Sequence, residues 1–337
     1  MVAAGRARRS ARRRTVVLIL ALAVIAVYAI ALMVGQTFYS PGEVVRVIAG
    51  QTVPGASFTV GELRLPRATL AVLTGMAFAL GGATFQTMLR NPLASPDIIG
   101  ISHGASAAAV FAITVLTVSG AAVSFVAIIA SLATAMAIYF LSFKDGVVGT
   151  RLILIGIGIA AMLQSVVSYL LIRASTWDLQ AAMRWITGSI NGATWTLVLP
   201  LAIAVVVLGG VLLARSRELS LLQLGDETAS ALGVRIEPTR LVVIVAAVGL
   251  IAFATAAAGP IAFVAFLSGP IAARLIGPTG SVLVPAALVG ALLVLVADLV
   301  GQFAFGTRYP VGVITGVLGA PYLIYLLIRT NRAGGSL

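Results

Sequence analysis

The sequence predicts an all-α polytopic membrane protein with about ten transmembrane helices. Of its 337 residues, 60% are hydrophobic and only 9% are charged, whereas a soluble domain carries about 25% charged residues. The mean hydropathy is +1.12. Apolar runs of roughly 18 to 23 residues, long enough to cross a bilayer as helices, recur along nearly the whole chain.

The first apolar run, residues 15–35, has no charge over 21 residues, and at 1.5 Å per residue it can cross a hydrocarbon core roughly 30 Å thick. No small-residue cleavage site follows it, so we expect a retained helix and not a signal peptide. Pro260, Pro270 and Pro278 interrupt the segment 259–277, which predicts a kinked or re-entrant helix there. The full set of predicted spans is 15–35, 68–88, 100–118, 121–142, 151–172, 194–214, 240–258, 260–276, 281–303 and 311–329.

A basic segment precedes the first span. Positive flanks stay in the cytoplasm, and an even number of spans then places both termini there. We expect cytoplasmic tails at 1–14 and 330–337 around one membrane domain, 15–329. The net charge of +12 is assigned to topology and to anionic lipid, not to nucleic acid, because no base-stacking aromatic residue accompanies the arginines. The six arginines are Arg6, Arg8, Arg9, Arg12, Arg13 and Arg14.

Several kinds of chemistry are excluded by composition. The sequence has no cysteine and one histidine, so neither a thiolate site nor a metal site built from two histidines of one chain is available. Its only lysine, Lys144, does not stand in a P-loop pattern. No nucleophile and base pair is evident. We therefore expect no enzyme activity and no cofactor, and any ATP must be hydrolysed by a separate subunit.

Polar residues within or beside the apolar runs are the intramembrane candidates Asp298, His103 and Asn91. A charge at mid-bilayer costs about 2.5 to 3.5 kcal/mol on insertion scales, so Asp298 should face the bundle interior. Two interpretations stay open for it: a helix-to-helix hydrogen bond, or a proton or substrate site. For His103 the alternatives are packing and a proton relay.

Two arginines, Arg64 and Arg67, flank Pro66 at the start of the second span, on the predicted external side. The positive-inside rule disfavours cations there. Guanidinium groups make bidentate pairs with carboxylates, which favours docking of an acidic protein surface. The alternative is that both side chains reach lipid phosphates.

The longest predicted internal loop, residues 215–239, contains the motif LGDETASALGV. It has a glycine at its start, two acids where a helix would begin and a glycine at its end, and acids there complement the helix dipole. We expect a short cytoplasmic helix that acts as a lever for a partner ATPase, although a plain capped helix has the same pattern. Its predicted apolar face consists of Leu221, Leu224, Ala229 and Leu232.

These motifs together resemble the FecCD-type permeases, the membrane subunits of ABC importers for iron-siderophore complexes, haem and cobalamin. The resemblance covers nearly the whole chain. It rests on RLPR at 64–67, RNPLASPDIIGISHGA at 90–105, TRLILIG at 150–156, WITGS at 185–189, LGDETASALGV at 224–234, GPIAFVAFLSGPIAAR at 259–274 and YPVGVITGVLGAPYLIYLL at 309–327.

The resemblance implies a type II ABC importer permease architecture in a bacterial plasma membrane. The subunit would dimerise with a second copy or a paralogous permease, above two ABC ATPase subunits and below an extracytoplasmic substrate-binding protein. Arg64 and Arg67 match the docking positions for the binding protein, and Gly149 and Thr150 fall at the cytoplasmic gate. The coupling residues are Leu224, Gly225, Asp226, Glu227, Ala229, Leu232 and Gly233.

Three departures from the family pattern concern docking and subunit pairing. Ile271 stands where members usually have a histidine, Arg308 precedes the last span where many have a glutamate, and Gln302 replaces a third basic docking position. The implied function is permease of an ATP-driven importer for ferric siderophores, working by alternating access. The alternatives are haem or cobalamin as the substrate, or a proton-coupled secondary transporter with Asp298 and His103 as the relay.

Overall fold

The computed structural model describes residues 2–95, 100–142, 149–277 and 280–334, and the regular elements in those ranges are helices. A π-helical segment, Thr59–Arg64, joins α3 to α4. In chain order the α-helices are α1 Val2–Met33, α2 Pro41–Ile48, α3 Ala56–Phe58, α4 Leu65–Met88, α5 Ile101–Thr114, α6 Ala121–Ser142, α7 Gly149–Arg173, α8 Thr176–Thr187, α9 Trp195–Ala214, α10 Ser216–Leu222, α11 Asp226–Ala231, α12 Ile236–Ala258, α13 Val264–Ile276, α14 Leu283–Phe303 and α15 Val311–Gly334.

Ten apolar helices match the ten predicted spans, which confirms the fold class. In the described ranges, seven are long and apolar enough to cross a membrane, and three are shorter: α5, α13 and the Val311–Leu326 part of α15. The second span begins earlier than predicted, because its helical backbone runs without a break from Ala56 through the π-helical segment. The seven long spans are Ala11–Met33, Ala56–Met88, Ala121–Ser142, Arg151–Arg173, Trp195–Ala214, Ile236–Ala258 and Leu283–Phe303.

Three helices form the centre of the bundle. The apolar windows of α4, α12 and α14 are 78%, 72% and 61% buried, against 17% for α1 and α7. The α4 and α14 backbones touch at Gly75 and Gly290, where a Cβ on either glycine would overlap the other helix. Small residues permit this close packing, which brings side chains of α4 next to those of α14.

The interrupted segment 259–277 contains a short helix. α12 ends at Gly259 with φ of +70°, and α13 follows Phe263, whose φ is +64°. With 13 residues, α13 is about 20 Å long, less than a hydrocarbon core of roughly 30 Å. The expected interruption is therefore confirmed as a non-helical turn before a helix that contains Pro270.

The two ends of the bundle are named here by the residues that lie at them. At the α10–α11 end, two arginines near the N-terminus of α1 donate hydrogen bonds. Arg12 donates to the Leu275 carbonyl (3.2 Å) and Arg13 to the Ser281 carbonyl (2.9 Å). α10 and α11 and the C-terminal ends of α4 and α13 lie at this end. The other, the Arg67–Asp298 end, contains the last turn of α1, the start of α4 and the last turns of α14.

Candidate functional site

An ion pair joins the start of α4 to the last turns of α14. Arg67 donates from Nε to Asp298 Oδ2 (2.9 Å) and from Nη2 to Asp298 Oδ1 (2.7 Å). Gln302 donates to Asp298 Oδ2 as well (2.7 Å). Asp298 is 6% exposed, so the pair is largely desolvated. This geometry matches the interpretation of Asp298 as a hydrogen-bonding group between helices. The carboxylate that a proton relay would use is paired with the Arg67 guanidinium.

Arg64 also binds within its own chain. Its guanidinium donates to the carbonyls of Leu32 (2.9 Å), Met33 (2.8 Å) and Thr37 (2.6 Å) and lies 5.0 Å from the centre of the Tyr39 ring. The last carbonyls of a helix have no partner within the helix. Arg64 therefore caps α1, from a position at the end of the π-helical segment. Its docking role stays a prediction.

A cavity of about 390 Å³ opens at this end. Its described lining includes three arginines, Arg64, Arg67 and Arg308, and one acid, Asp298. Three positive charges less one negative charge leave the cavity with two positive charges. Arg308 is exposed. It departs from the family pattern, and it extends the cationic surface that the sequence assigned to Arg64 and Arg67.

At the opposite end, Asp226 holds α11 against two other helices. Its Oδ1 accepts from Arg90 (2.6 Å), just after α4, and its Oδ2 accepts from Arg240 of α12 (2.7 Å). The Asp226 side chain is 44% exposed. Both glycines predicted to break the helix do so with positive φ, +107° at Gly225 and +88° at Gly233. Arg90 and Arg240 were not singled out in the sequence, because only packing brings them to Asp226.

The predicted apolar face of this loop is wrong in part. Ala229 is buried and packs in a small cluster with Leu222 and Val234. Leu224 and Leu232 are 59% and 57% exposed. The break at Gly225 separates α10 from α11, so one helical periodicity does not run through the loop. Glu227 is exposed beside them, and the three side chains are available to a partner.

The remaining predicted site residues are dispersed. Asn91 lies in the turn after α4, where its Oδ1 accepts from the Leu93 N–H (2.9 Å), and it lines a cavity of about 570 Å³ at the α10–α11 end. α7 begins at Gly149, followed by Thr150; the surroundings of these two residues lie outside the described part of the structure. His103 lies in the first turn of α5 and lines a third cavity.

One buried amide was missed by the sequence interpretation. Gln86, on α4, donates to the carbonyls of Pro92 (3.0 Å) and Phe266 (2.9 Å). It thereby ties the turn after α4 to α13. A glutamine within an apolar run was the available signal, since buried polar groups need partners.

Comparison with known proteins assigns the architecture. Residues 21–329 match the profile of the FecCD transport family. The chain belongs to this family. It is 38% identical over 316 residues to the achromobactin transport system permease protein CbrC of Dickeya dadantii, covering 92% of this chain and 90% of that protein. It is 38% identical over 301 residues to the ferric enterobactin permease FepG of Escherichia coli, covering 88% and 91%.

A solved structure extends the match to three dimensions. An inward-facing metal-chelate type ABC transporter superposes with a TM-score of 0.84 at 28% identity, covering 94% of this chain and 99% of that one. As a FecCD permease, the chain is a multi-pass membrane protein of a bacterial transport family. The sequence-based resemblance is thus confirmed over nearly the whole chain.

Proposed function

We propose that this FecCD permease is the membrane subunit of an ATP-driven importer for ferric siderophores. The observation that carries the proposal is the structural likeness to a metal-chelate ABC transporter over 94% of the chain. Two relatives named for siderophore transport support the substrate class. The chain supplies the path, and alternating access is driven by differential binding of ligand and partners to two states.

The proposed assembly has two permease chains, either two copies or a pair with a paralogue, two ABC ATPase subunits and an extracytoplasmic binding protein. We assign the α10–α11 end, together with both termini, to the cytoplasmic side of the inner membrane. Arg12, Arg13 and Arg90 lie at this end, and positively charged flanks of membrane spans stay in the cytoplasm. The Arg67–Asp298 end is then external.

The coupling surface for the ATPase is proposed at α11. Leu224, Glu227 and Leu232 are exposed. The two leucines lie on either side of α11, and an exposed apolar pair of this kind suits burial against a partner. Asp226 transmits displacement of α11 to α4 and α12 through its two arginine partners. Gly149 and Thr150, at the start of α7, remain the proposed cytoplasmic gate.

The docking surface for the binding protein is proposed around the external cavity. Its surplus of two positive charges attracts acidic side chains. Because Arg64 and Arg67 also hold internal contacts, Arg308→Glu is the cleaner test. We expect weaker docking of the binding protein and a smaller effect of salt on what remains. Arg46→Glu, an exposed change on α2, is the matched control; equal docking of the two variants would remove this assignment.

The energy source is tested in vesicles that contain the complete importer, ATP and a ferric siderophore. Uptake should stop with vanadate and persist with an uncoupler while ATP is held constant. Uptake that an uncoupler abolishes at constant ATP would instead establish a proton-coupled transporter. Uptake of haem or cobalamin without siderophore uptake would keep the permease role and change the substrate.

A further inference from the structure

The short helix α2 carries apolar side chains that the described part of the chain leaves exposed. Val45 and Ile48 are 63% and 55% exposed, whereas Val44 of the same helix is buried. At about 100° per residue, these three side chains lie on one side of the helix, and those of Glu43 and Arg46 lie on the other. The protein therefore covers only part of the apolar side of an amphipathic helix.

α2 lies just beyond the level at which α1 ends. The Tyr39 backbone N–H donates to the carbonyl of Met33 (3.1 Å), the last residue of the first span, and Arg64 donates to the same carbonyl (2.8 Å). A Cβ on Gly61 would lie 3.6 Å from Val47 Cγ1. α2 thus packs against the π-helical segment three residues, or about 5 Å, beyond Arg64.

This distance places α2 at the depth of the lipid headgroups. The hydrocarbon core of a bilayer is about 30 Å thick, and the headgroup layer adds about 5 to 8 Å on each side. If the hydrocarbon ends near Met33, the last residue of the first span, a helix about 5 Å farther out lies within that layer.

The surface of α1 that faces lipid leads up to this helix. Most of the apolar stretch of α1 is not buried inside the protein, and Ile25 and Ile30 on it are exposed. Phe38, just before α2, and Phe58, in α3, are exposed as well. Exposed aromatic and aliphatic side chains at the edge of a span are typical of segments that lie in the membrane interface.

The side chains of α2 fit lipid better than an acidic protein surface. Such a surface is attracted by cations, and Val45 and Ile48 offer it no charge. An interfacial helix buries its apolar side about 5 to 10 Å into the boundary between headgroups and acyl chains and keeps basic residues on its polar side. Arg46 is exposed on that polar side, where it can pair with lipid phosphates.

We infer that α2 is an interfacial helix that rests on the bilayer. Val45 and Ile48 enter the boundary between headgroups and acyl chains, and Arg46 stays among the headgroups. The contact holds the segment between α1 and the π-helical segment, and with it the backbone near Arg64, at a fixed height above the hydrocarbon. This contact with lipid depends on neither the substrate nor the energy source of the importer.

The test is spin labelling of single cysteines in the full-length chain, whose natural sequence contains no cysteine. The variants are reconstituted in nanodiscs of phosphatidylethanolamine and phosphatidylglycerol. Collisions of the label with oxygen, which partitions into lipid, are compared with collisions with a water-soluble nickel chelate. Val45→Cys and Ile48→Cys should give an oxygen-to-nickel ratio at least about threefold higher than Arg46→Cys, the matched control on the polar side. Ile25→Cys supplies the reference for acyl chains.

Equal ratios at the three α2 positions would overturn the lipid contact and leave the importer proposal intact. Labels at Val45→Cys and Ile48→Cys that nickel reaches in nanodiscs, and that the binding protein then shields, would make α2 a docking helix instead. Dipolar broadening that disappears when labelled chains are diluted with unlabelled wild type would assign the surface to a second copy of the chain.

Discussion

The two ends of the bundle use the same chemistry in different surroundings. At the Arg67–Asp298 end a bidentate arginine–aspartate pair has side chains only 21% and 8% exposed. At the α10–α11 end Asp226 is 44% exposed and shares its carboxylate between Arg90, 43% exposed, and Arg240, 11% exposed. The Arg67–Asp298 pair links α4 to α14. The contacts of Asp226 with Arg90 and Arg240 link the short helix α11 to the end of α4 and to α12.

This difference in burial sets the free energy of each contact. Removing one partner from a buried pair leaves an uncompensated charge and costs several kcal/mol, whereas exposed pairs contribute about 0 to 1 kcal/mol. The Arg67–Asp298 pair is therefore a fixed tie between α4 and α14. The contact between Asp226 and Arg90, exposed on both sides, can break and re-form at low cost, which suits an element that moves with a partner.

The largest effect is expected for Asp298→Leu. It leaves Arg67 without its carboxylate at a largely buried position, so the free energy of unfolding should fall by about 2 to 4 kcal/mol. The measurement is denaturant or thermal unfolding of the purified protein in detergent. The double variant Arg67→Met, Asp298→Leu should recover most of the loss; a double variant no more stable than Asp298→Leu would show that the unpaired charge is not the cause.

The next effect is expected for Arg64→Met. This change removes three hydrogen bonds to carbonyls around the end of α1, and the loss should be about 1 to 2 kcal/mol, because the site is partly open to water. Arg64→Lys keeps the charge but not the planar group with several donors, so its stability should lie between those of Arg64→Met and the wild type. Wild-type stability in Arg64→Met would show that the cap is not stabilising.

A smaller effect on stability, below about 1 kcal/mol, is expected for Asp226→Asn. Its main consequence should be on coupling: ATP hydrolysis by the reconstituted importer continues while uptake per ATP falls, because α11 loses charged contacts with α4 and α12. Ser230→Ala, an exposed change on the same helix, is the matched control. Equal coupling ratios in the two variants would contradict the role given to Asp226.

The smallest effect concerns a carboxylate outside the membrane-spanning helices, Glu43 of α2. The Ser40 backbone N–H, and then its hydroxyl, donate to Glu43 and lower its pKa below the ordinary value of 4.5. A depressed pKa means that the cap stabilises α2 above pH 4.5 and is lost as the pH falls through the folded-state pKa. Amide hydrogen exchange, corrected for intrinsic rates, should show this loss. Glu43→Gln should remove the pH dependence; an unchanged dependence would assign it to another group.

Some of the candidate site was predictable from local pattern. The helix α2 has a local cause, since Ser40 and Glu43 form a capping box at its start. The breaks at Gly225 and Gly233 are confirmed by positive φ. In each case the physical cause is within a few residues of the feature, such as a side-chain cap or the conformational freedom of glycine.

Other features were not predictable in this way. The exposure of Leu224 and Leu232 depends on how α10 and α11 fold back on each other. The buried His103 Nδ1 makes no hydrogen bond within the described residues, and that depends on what α5 packs against. The strained φ of Phe263 has no sequence pattern, because a phenylalanine adopts it only when the surrounding packing compensates for its cost.

The sequence by itself determined the membrane class, the ten apolar helices and the family. Partition into a bilayer depends on the composition of each continuous segment, so a linear pattern is enough. Only the tertiary structure decided that Arg67 pairs with Asp298 across 231 residues, and that Arg64 caps α1. Those partners meet because contacts among all the helices place α4 beside α14 and α1. Contacts between segments so far apart in the sequence cannot be read from a local pattern.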